Sequence, residues 1–357
     1  MTQTSTDKAR NFIERARAAD RDGDTEKSLA LFDGAIGLLQ RPADVALLAD
    51  ALRWKGTVYR EVGETEAAYQ CYTKSLAYAE RIGAVAAKAH AFNCLAIVAQ
   101  RRGELRDAGI HYAHAAQLAA EANDSRLLGM IEQNRGVLMN TTANFAAAEV
   151  QYFSSLAAFE AAGDDEAASW VLNNIGILYT KLGHYQRAVE TLQRGLEIAK
   201  RREDSMVESV LRLNLAEAWA ASGKLDLADS ACKTALEEAL RRNDHLTIAG
   251  ALKCRARIER ERGAFKQSMA TLRIGIFEAE ALDDRLLHAE MLREFGQTSR
   301  ALGESDEARL AWQEAADSFQ EVGAVHEAEE IRSLLASLSS ESPRLGLSEP
   351  LPPGLNA

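Results

Sequence analysis

Residues 173–196 read NNIGILYTKLGHYQRAVETLQRGL, and this stretch decides the fold. A short polar turn at Gly183 separates two segments of helical character. In the second segment, apolar residues recur at steps of three and four positions, which is the pattern of an amphipathic helix. The stretch therefore predicts two helices joined by a tight turn, each with one face that a neighbour must cover.

The same turn recurs along the chain at a spacing of 40 residues. Glycine occupies it in seven of eight repeats, and Ala143 stands in the remaining one, where we expect Asn144 to take the left-handed conformation that glycine normally supplies. A second series of helix breakers lies halfway between these turns, so each repeat holds two helices. The sequence predicts eight helix pairs, with turns at residues 23, 63, 103, 143, 183, 223, 263 and 303.

Aspartate follows the second breaker in five successive repeats. An aspartate just before a helix accepts hydrogen bonds from the free backbone N–H groups of the first turn. Because the residue recurs at the same place each time, we interpret it as an N-cap and not as half of an acid–base pair. The predicted caps are Asp124, Asp164, Asp204, Asp244 and Asp284.

Small and large residues recur where the two helices of a repeat meet. The first helix carries glycine or alanine there, the second carries alanine, and a large residue follows that alanine by four positions. The first-helix positions are Gly56, Ala96, Gly136, Gly176, Ala216, Ala256 and Gly296. The second-helix alanines are Ala68, Ala108, Ala148, Ala188, Ala228 and Ala308, and the large residues include Phe32, Tyr72, Tyr112, Tyr152, Leu192, Leu272 and Trp312.

These features resemble tetratricopeptide repeats (TPR) over about residues 6–323. The 40-residue period is similar to that of Pins/LGN-type adaptors and of bacterial TPR regulators. The resemblance implies an all-α fold, namely a right-handed TPR solenoid of eight helix pairs plus a C-terminal capping helix. We expect a single TPR array over residues 1–338, with the capping helix over 324–338.

Residues 339–357 are rich in proline, serine and leucine, and we expect a disordered tail there. The alternative is that leucines of this tail dock in a groove, including the groove of the chain itself.

Composition excludes several classes of function. Acidic residues exceed basic ones by 53 to 42, and the net charge of −11 argues against general nucleic-acid binding. No apolar run is long enough to span a membrane. The four cysteines form no CxxC pair and the N-terminus has no apolar leader, which favours a cytoplasmic protein without a disulfide framework.

Sequence motifs of catalysis are absent. The chain contains no phosphate-binding loop, nucleophile elbow or zinc-protease motif. His111 and His114 stand three positions apart, but no third ligand accompanies them, so we interpret them as a solvated pair. We therefore expect no enzyme, no cofactor and no metal. Polar outer faces at both ends of the array favour a monomer, with a side-by-side dimer as the alternative.

The expected functional surface is a concave groove, which in TPR folds is lined by the first helix of each repeat. Its exposed positions lie two and three residues before the small residue. Three residues before it stand Arg53, Asn93, Gln133, Asn173, Leu213, Lys253 and Arg293, and two residues before it stand Asn134, Asn174 and Asn214. A row of side-chain amides suits binding of an extended peptide backbone. The alternative is that these amides bond neighbouring helices inside the array.

Two other features of the groove point to partner contacts. A basic stretch would select carboxylates on a partner, and it consists of Lys253, Arg257, Arg260, Arg293 and Arg300. The alternative is a solvated charge network within the helices, to which Glu217, Glu290 and Glu294 belong. Trp170 and Trp54 fall on groove-facing positions and are expected to be apolar anchors.

The predicted function is that of a protein–protein interaction adaptor whose concave groove binds a peptide or protein segment. One alternative is a peptide-responsive or tail-autoinhibited regulatory receptor. A second alternative is a structural subunit of a larger complex.

Overall fold

The computed structural model of the chain describes residues 4–341. Residues 342–357, which make up most of the predicted tail, lie outside the described residues. Within 4–341 the chain forms 17 α-helices and one short 3-10 turn at Pro42–Asp44, and this range contains no β-strand. The predicted all-α fold class is confirmed.

Sixteen helices form the eight predicted pairs, and one more helix follows them. Their bounds are α1 (Ser5–Arg21), α2 (Thr25–Leu38), α3 (Val45–Glu61), α4 (Thr65–Arg81), α5 (Val85–Arg101), α6 (Leu105–Glu121), α7 (Ser125–Thr141), α8 (Phe145–Ala162), α9 (Asp165–Lys181), α10 (Tyr185–Arg201), α11 (Ser205–Ala221), α12 (Leu225–Arg242), α13 (His245–Glu261), α14 (Phe265–Ala281), α15 (Arg285–Leu302), α16 (Ser305–Glu321) and α17 (Val325–Glu341). The last helix reaches Glu341, the last residue described, and so passes the predicted end at residue 338.

The turns lie where the 40-residue period places them, and one of them differs in detail from the prediction. Gly183 has a φ of +74°, and Ala143, at the corresponding place, has a φ of +55°. Asn144 has a φ of −86° and caps α8, since its Oδ1 accepts a hydrogen bond from the Ala147 N–H at 3.3 Å. The prediction that Asn144 is left-handed is therefore wrong. As the N-cap of α8, Asn144 has a negative φ, and Ala143 is the residue in the left-handed conformation.

The five predicted aspartate caps are confirmed. The Oδ1 atoms of Asp124 and Asp284 each accept a hydrogen bond at 2.9 Å from the backbone N–H three residues later. The corresponding distances are 3.1 to 3.2 Å at Asp164, Asp204 and Asp244. Each cap satisfies a backbone donor that the helix itself leaves free.

The pairing of small and large residues is also present as predicted. A Cβ atom added at Gly136 would lie 2.5 Å from the ring of Tyr152, and one added at Gly56 would lie 2.7 Å from the ring of Tyr72. The aromatic ring of the second helix therefore lies directly on the backbone of the first. The second-helix alanines are fully buried, as are the large residues that follow them.

The helices group into two compact units that divide between Leu178 and Tyr179, inside α9. In unit 1, the helices α1, α3, α5 and α7 contact one another in succession. In unit 2, the helices α11, α13 and α15 do the same, and α17 packs on α16. The odd-numbered helices therefore form one layer within each unit. We call the solvent side of this layer the helix-A face.

Candidate peptide-binding face

Two of the predicted groove amides bind each other. Asn134 on α7 donates from Nδ2 to Oδ1 of Asn93 on α5 at 3.1 Å. Asn93 is only 3% exposed and Asn173 only 5%. The prediction that their positions are exposed is wrong, and at Asn93 the neighbouring α7 covers the side chain. For the pair Asn93 and Asn134, the alternative of bonding inside the array is the correct one.

The remaining groove amides are half-buried. They are Gln133 and Asn174 in unit 1 and Asn214 in unit 2. Asn173 and Asn214 both interact with other residues of the chain. In unit 1, the side chains of Gln133, Asn134 and Asn174 remain partly open to a ligand.

Arg53 is held by its neighbours at the start of unit 1. Its guanidinium lies 4.5 Å from the ring centroid of Trp54, and that of Arg17 lies 4.2 Å from the same ring. Nη2 of Arg53 is 3.4 Å from Oδ1 of Asp50. Among the described residues, its buried Nε has no hydrogen-bond partner. The contacts of Arg53 therefore stabilise the packing around Trp54.

A pocket of about 550 Å³ opens on the helix-A face of unit 1. Trp170 of α9, Met130 and Gln133 of α7 and Phe159 of α8 line it, and Met130 is 36% exposed. A Cβ atom at Gly129 would lie 2.9 Å from the Phe159 ring, so this ring lies on the backbone of α7. We call this site the Trp170 pocket, and its other lining residues are His90, Asp124, Arg126, Leu127, Asp164, Glu166 and Ala167.

Carboxylates dominate the polar groups of the Trp170 pocket. Its arginine is already paired, since Nε of Arg126 lies 2.7 Å from Oδ2 of Asp164. Burial lowers the pKa of His90, and the nearby charge of Arg53 lowers it further, so the imidazole is neutral at pH 7. The pocket thus combines an apolar lining with negative charge. This combination suits an apolar side chain and accepts a cation beside it.

In unit 2, the basic stretch is part of a charge network. Nζ of Lys253 lies 3.3 Å from Oε1 of Glu217 on α11 and 2.5 Å from Oε2 of Glu290 on α15. Burial alone lowers the pKa of Lys253, but the two carboxylates outweigh it and raise that pKa. Burial raises the pKa of Glu290, and the charge of Lys253 outweighs this effect and lowers it. The three side chains therefore tie α11, α13 and α15 together.

A second ionic cluster lies next to this one. Nη1 of Arg260 is 2.5 Å from Oε2 of the buried Glu294, and Nε of Arg293 is 3.9 Å from Oε1 of the same glutamate. Burial raises the pKa of Glu294, but Arg260 and Arg293 together bring it below its ordinary value. Arg257 is half-buried, and within the described part of the chain its Nε has no hydrogen-bond partner. Lys253 and Arg260 therefore pair with glutamates of neighbouring helices, and the alternative of a solvated network within single helices is wrong for both.

Several pocket residues escaped the sequence prediction. Met130 and Ala167 stand three positions before Gln133 and Trp170, so one turn of helix places them on the same face. That spacing was a usable signal. Phe159 comes from the second helix of its pair, and only the packing of α8 on α7 brings it to this face.

The structure adds two findings on other classes of site. Among residues 4–341, no group of three or more histidine, cysteine, aspartate or glutamate side chains is placed to hold a metal ion. None of the helices described has the length and apolar character that crossing a membrane requires.

Comparison with known proteins identifies the repeat. The family model described as tetratricopeptide repeat matches residues 147–201. The matched residues cover most of α8 and all of α9 and α10. A segment of 71 residues is 34% identical to the Tetratricopeptide repeat protein 19 homolog, mitochondrial, of Drosophila melanogaster. That segment spans 20% of this chain and 19% of the Drosophila protein.

Solved structures extend the likeness of the fold over most of the chain. A tetratricopeptide repeat protein from Parabacteroides merdae matches with a TM-score of 0.59 and 21% identity, over 82% of this chain and 98% of that one. The apo form of RapI matches with a TM-score of 0.66 and 14% identity, over 93% and 98% of the two chains. The similarity to Pins/LGN-type adaptors remains a prediction.

Proposed function

We propose that this TPR chain is a non-catalytic adaptor that binds a segment of another protein on the helix-A face of unit 1. The Trp170 pocket is the observation that supports the proposal. Aromatic residues in partly buried pockets are the type of residue that most often anchors a protein interface. Trp170, Met130 and Phe159 supply such an anchor site, and its volume of about 550 Å³ accommodates one or two side chains.

The amides beside the pocket suit the backbone of the same ligand. Gln133 lines the pocket, and Asn134 is half-buried next to it, with its nitrogen already bound to Asn93. The side-chain oxygen of Asn134 can still accept a hydrogen bond from a peptide N–H, and the amide of Gln133 can both donate and accept. Recognition of backbone by these amides, with an apolar side chain in the pocket, is the expected mode of binding.

The cysteines support a cytoplasmic location for the adaptor. All four (Cys71, Cys94, Cys232 and Cys254) are buried and unpaired. Free thiols are the usual state of cysteine in a reducing compartment.

Selection of peptides from a random library on the full-length chain tests the proposal. We expect enriched peptides to share an apolar residue, and we expect Trp170→Ala to weaken their binding at least tenfold in calorimetry. Leu310→Ala is the matched control, because Leu310 is 71% exposed on α16 and lines no part of the pocket. Thermal melting of both variants should stay close to that of the parent chain. Enriched peptides that bind Trp170→Ala as tightly as the parent would contradict the proposal.

A further inference from the structure

One connection between helices departs from the 40-residue period. The second helix of a pair ends at Arg81 in α4 and at Arg201 in α10, but α2 ends at Leu38, three residues before the corresponding position 41. Pro42 is the one proline outside the last fifteen residues of the chain, and proline disfavours a helical conformation in the residue before it. Arg41 is accordingly extended, with φ −89° and ψ 151°.

The shortened helix leaves an open space in unit 1. A cavity of about 790 Å³ lies among α2, α3 and α4, and we call it the Pro42 wedge. Leu48 and Leu52 of α3, Tyr78 of α4 and Ile82 just after α4 line it with apolar atoms. The last turn of a full-length α2 would lie against these residues. The wedge shares no residue with the Trp170 pocket.

The charge of the wedge is positive in an acidic chain. Its charged lining residues are Arg41, Lys74 and Arg81, with no carboxylate among the lining residues. Arg41 is held by Asp44, with 3.0 Å between Nε and Oδ2. Lys74 and Arg81 are exposed, and neither forms an ion pair with any residue in the described range. Arg81 instead lies 5.0 Å from the ring centroid of Tyr78.

The spacing of the two unpaired cations constrains what can bind. Lys74 and Arg81 are seven residues apart on α4, which is about 10 Å along a helix axis at 1.5 Å per residue. Two carboxylates at a similar spacing therefore match the two cations without bending either side chain toward the other. A polypeptide segment with two separated carboxylates and apolar side chains between them can pair with both cations and fill the wedge.

We propose that the Pro42 wedge binds an acidic amphipathic segment of a partner protein. Apolar side chains of the segment enter between Leu48 and Tyr78, and its carboxylates pair with Lys74 and Arg81. This second site shares no lining residue with the Trp170 pocket, so its test is independent of the test of the proposed adaptor function.

Fluorescence anisotropy at low ionic strength tests the proposal on the full-length chain. The probe is a fluorescein-labelled peptide of twelve residues with leucines between two glutamates that stand seven positions apart. Its counterpart carries lysine in place of both glutamates. We expect the glutamate peptide to bind at least tenfold more tightly than the lysine peptide, and equal affinities would overturn the proposal.

Two variants locate the binding. The double variant Lys74→Glu with Arg81→Glu should bind the glutamate peptide at least tenfold more weakly than the parent chain does. The matched control is Arg194→Glu with Arg201→Glu, which changes the same two positions of the repeat in α10, a helix of full length. The affinity of the control for the glutamate peptide should stay within twofold of that of the parent chain. A similar loss in both double variants would show that net charge and not the wedge governs binding, and would overturn the proposal.

Pro42→Ala tests the shape of the wedge without changing its charge. We expect α2 to gain about one turn, visible as added helix in circular dichroism, and the glutamate peptide to bind at least fivefold more weakly. Added helix with unchanged affinity would overturn the proposal. Dodecanoate, which has one carboxylate on a hydrocarbon chain, is the small-molecule comparison. If dodecanoate binds at Lys74 and the peptide does not, a polypeptide partner is ruled out.

Discussion

Asn134 donates a hydrogen bond from its side-chain nitrogen to the side-chain oxygen of the buried Asn93, at 3.1 Å, between two neighbouring odd-numbered helices. Asparagine is a mediocre helix former, so two of them on facing helices call for a stabilising contact, and this bond is that contact. The bond uses only one donor of Asn134. One amide can therefore hold the array together and still accept a hydrogen bond from a ligand.

Loss of this bond should cost stability in a coupled way. Asn134→Ala leaves the buried oxygen of Asn93 without a donor, so we expect the free energy of unfolding to fall by about 1–2 kcal/mol. Asn93→Ala should do the same, and the double variant should lose about 1 kcal/mol less than the sum of the two. Urea denaturation measures all three values. If the loss in the double variant equals the sum of the two single losses, the hydrogen bond between the two side chains contributes nothing to stability.

The ionic bridge at Lys253 should be sensitive to removal of its cation. Lys253→Met leaves Glu217 and Glu290 facing each other in a mostly buried site, and we expect a loss of about 2–3 kcal/mol in the free energy of unfolding at pH 7. Adding Glu217→Gln and Glu290→Gln to the same chain should restore most of the lost free energy of unfolding. Lys233→Met is the control. It removes an exposed pair with Glu237 and should cost less than about 0.5 kcal/mol. Equal losses in the two single variants would contradict the account of the bridge.

Unit 2 should lose stability in acid because of Glu294 and Glu290. The folded pKa of each lies below the ordinary value of 4.5, so the unfolded chain binds protons first as the pH falls. Their contribution is complete well above the unfolded pKa of 4.5 and is lost progressively as the pH falls through the folded pKa. Glu294→Gln should therefore flatten the decline in the free energy of unfolding below about pH 5. Glu314→Gln, an exposed change on α16, should keep the parent slope, and parallel curves for both variants would argue against this assignment.

The turn at Ala143 offers a stabilising substitution. Its φ of +55° is unfavourable for alanine and costs glycine little. We expect Ala143→Gly to raise the free energy of unfolding by about 0.5–1 kcal/mol, measured as a higher melting temperature. Ala157→Gly is the control, because Ala157 is exposed in the interior of α8 and its replacement should cost about 1 kcal/mol. A lower melting temperature for Ala143→Gly would contradict the expected effect.

Most of the fold could be predicted because the chain repeats the same local signals. Turn residues, aspartate caps such as Asp124 and small residues such as Gly136 stand at fixed places in the period, and each acts through its own few neighbours. The ion pairs of Lys253 and Arg260 could also have been predicted from the 40-residue period. Lys253 and Glu290 are 37 residues apart and Arg260 and Glu294 are 34 apart, close to the repeat length that brings adjacent first helices together.

The candidate sites were harder to predict, because exposure on the helix-A face depends on how closely successive helices pack. The position of Asn93 appears exposed from its place in one helix, yet the neighbouring α7 covers it. The Trp170 pocket needs Phe159 from an even-numbered helix. Pro42 is a helix breaker and could have predicted the early end of α2. The cavity could not be predicted, because it depends on how the side chains of α3 and α4 pack around it.

The central claim is that a partner segment lies on the Trp170 pocket of the helix-A face. Site-specific photocrosslinking tests it most directly, with p-benzoylphenylalanine placed at Gln133 in one chain and at Val150 in another. Val150 is 60% exposed on α8 and lines no part of the pocket. With a peptide selected on the parent chain, we predict a crosslinked product from position 133 and little or none from position 150. Equal yields from both positions, or a product from position 150 alone, would contradict the claim.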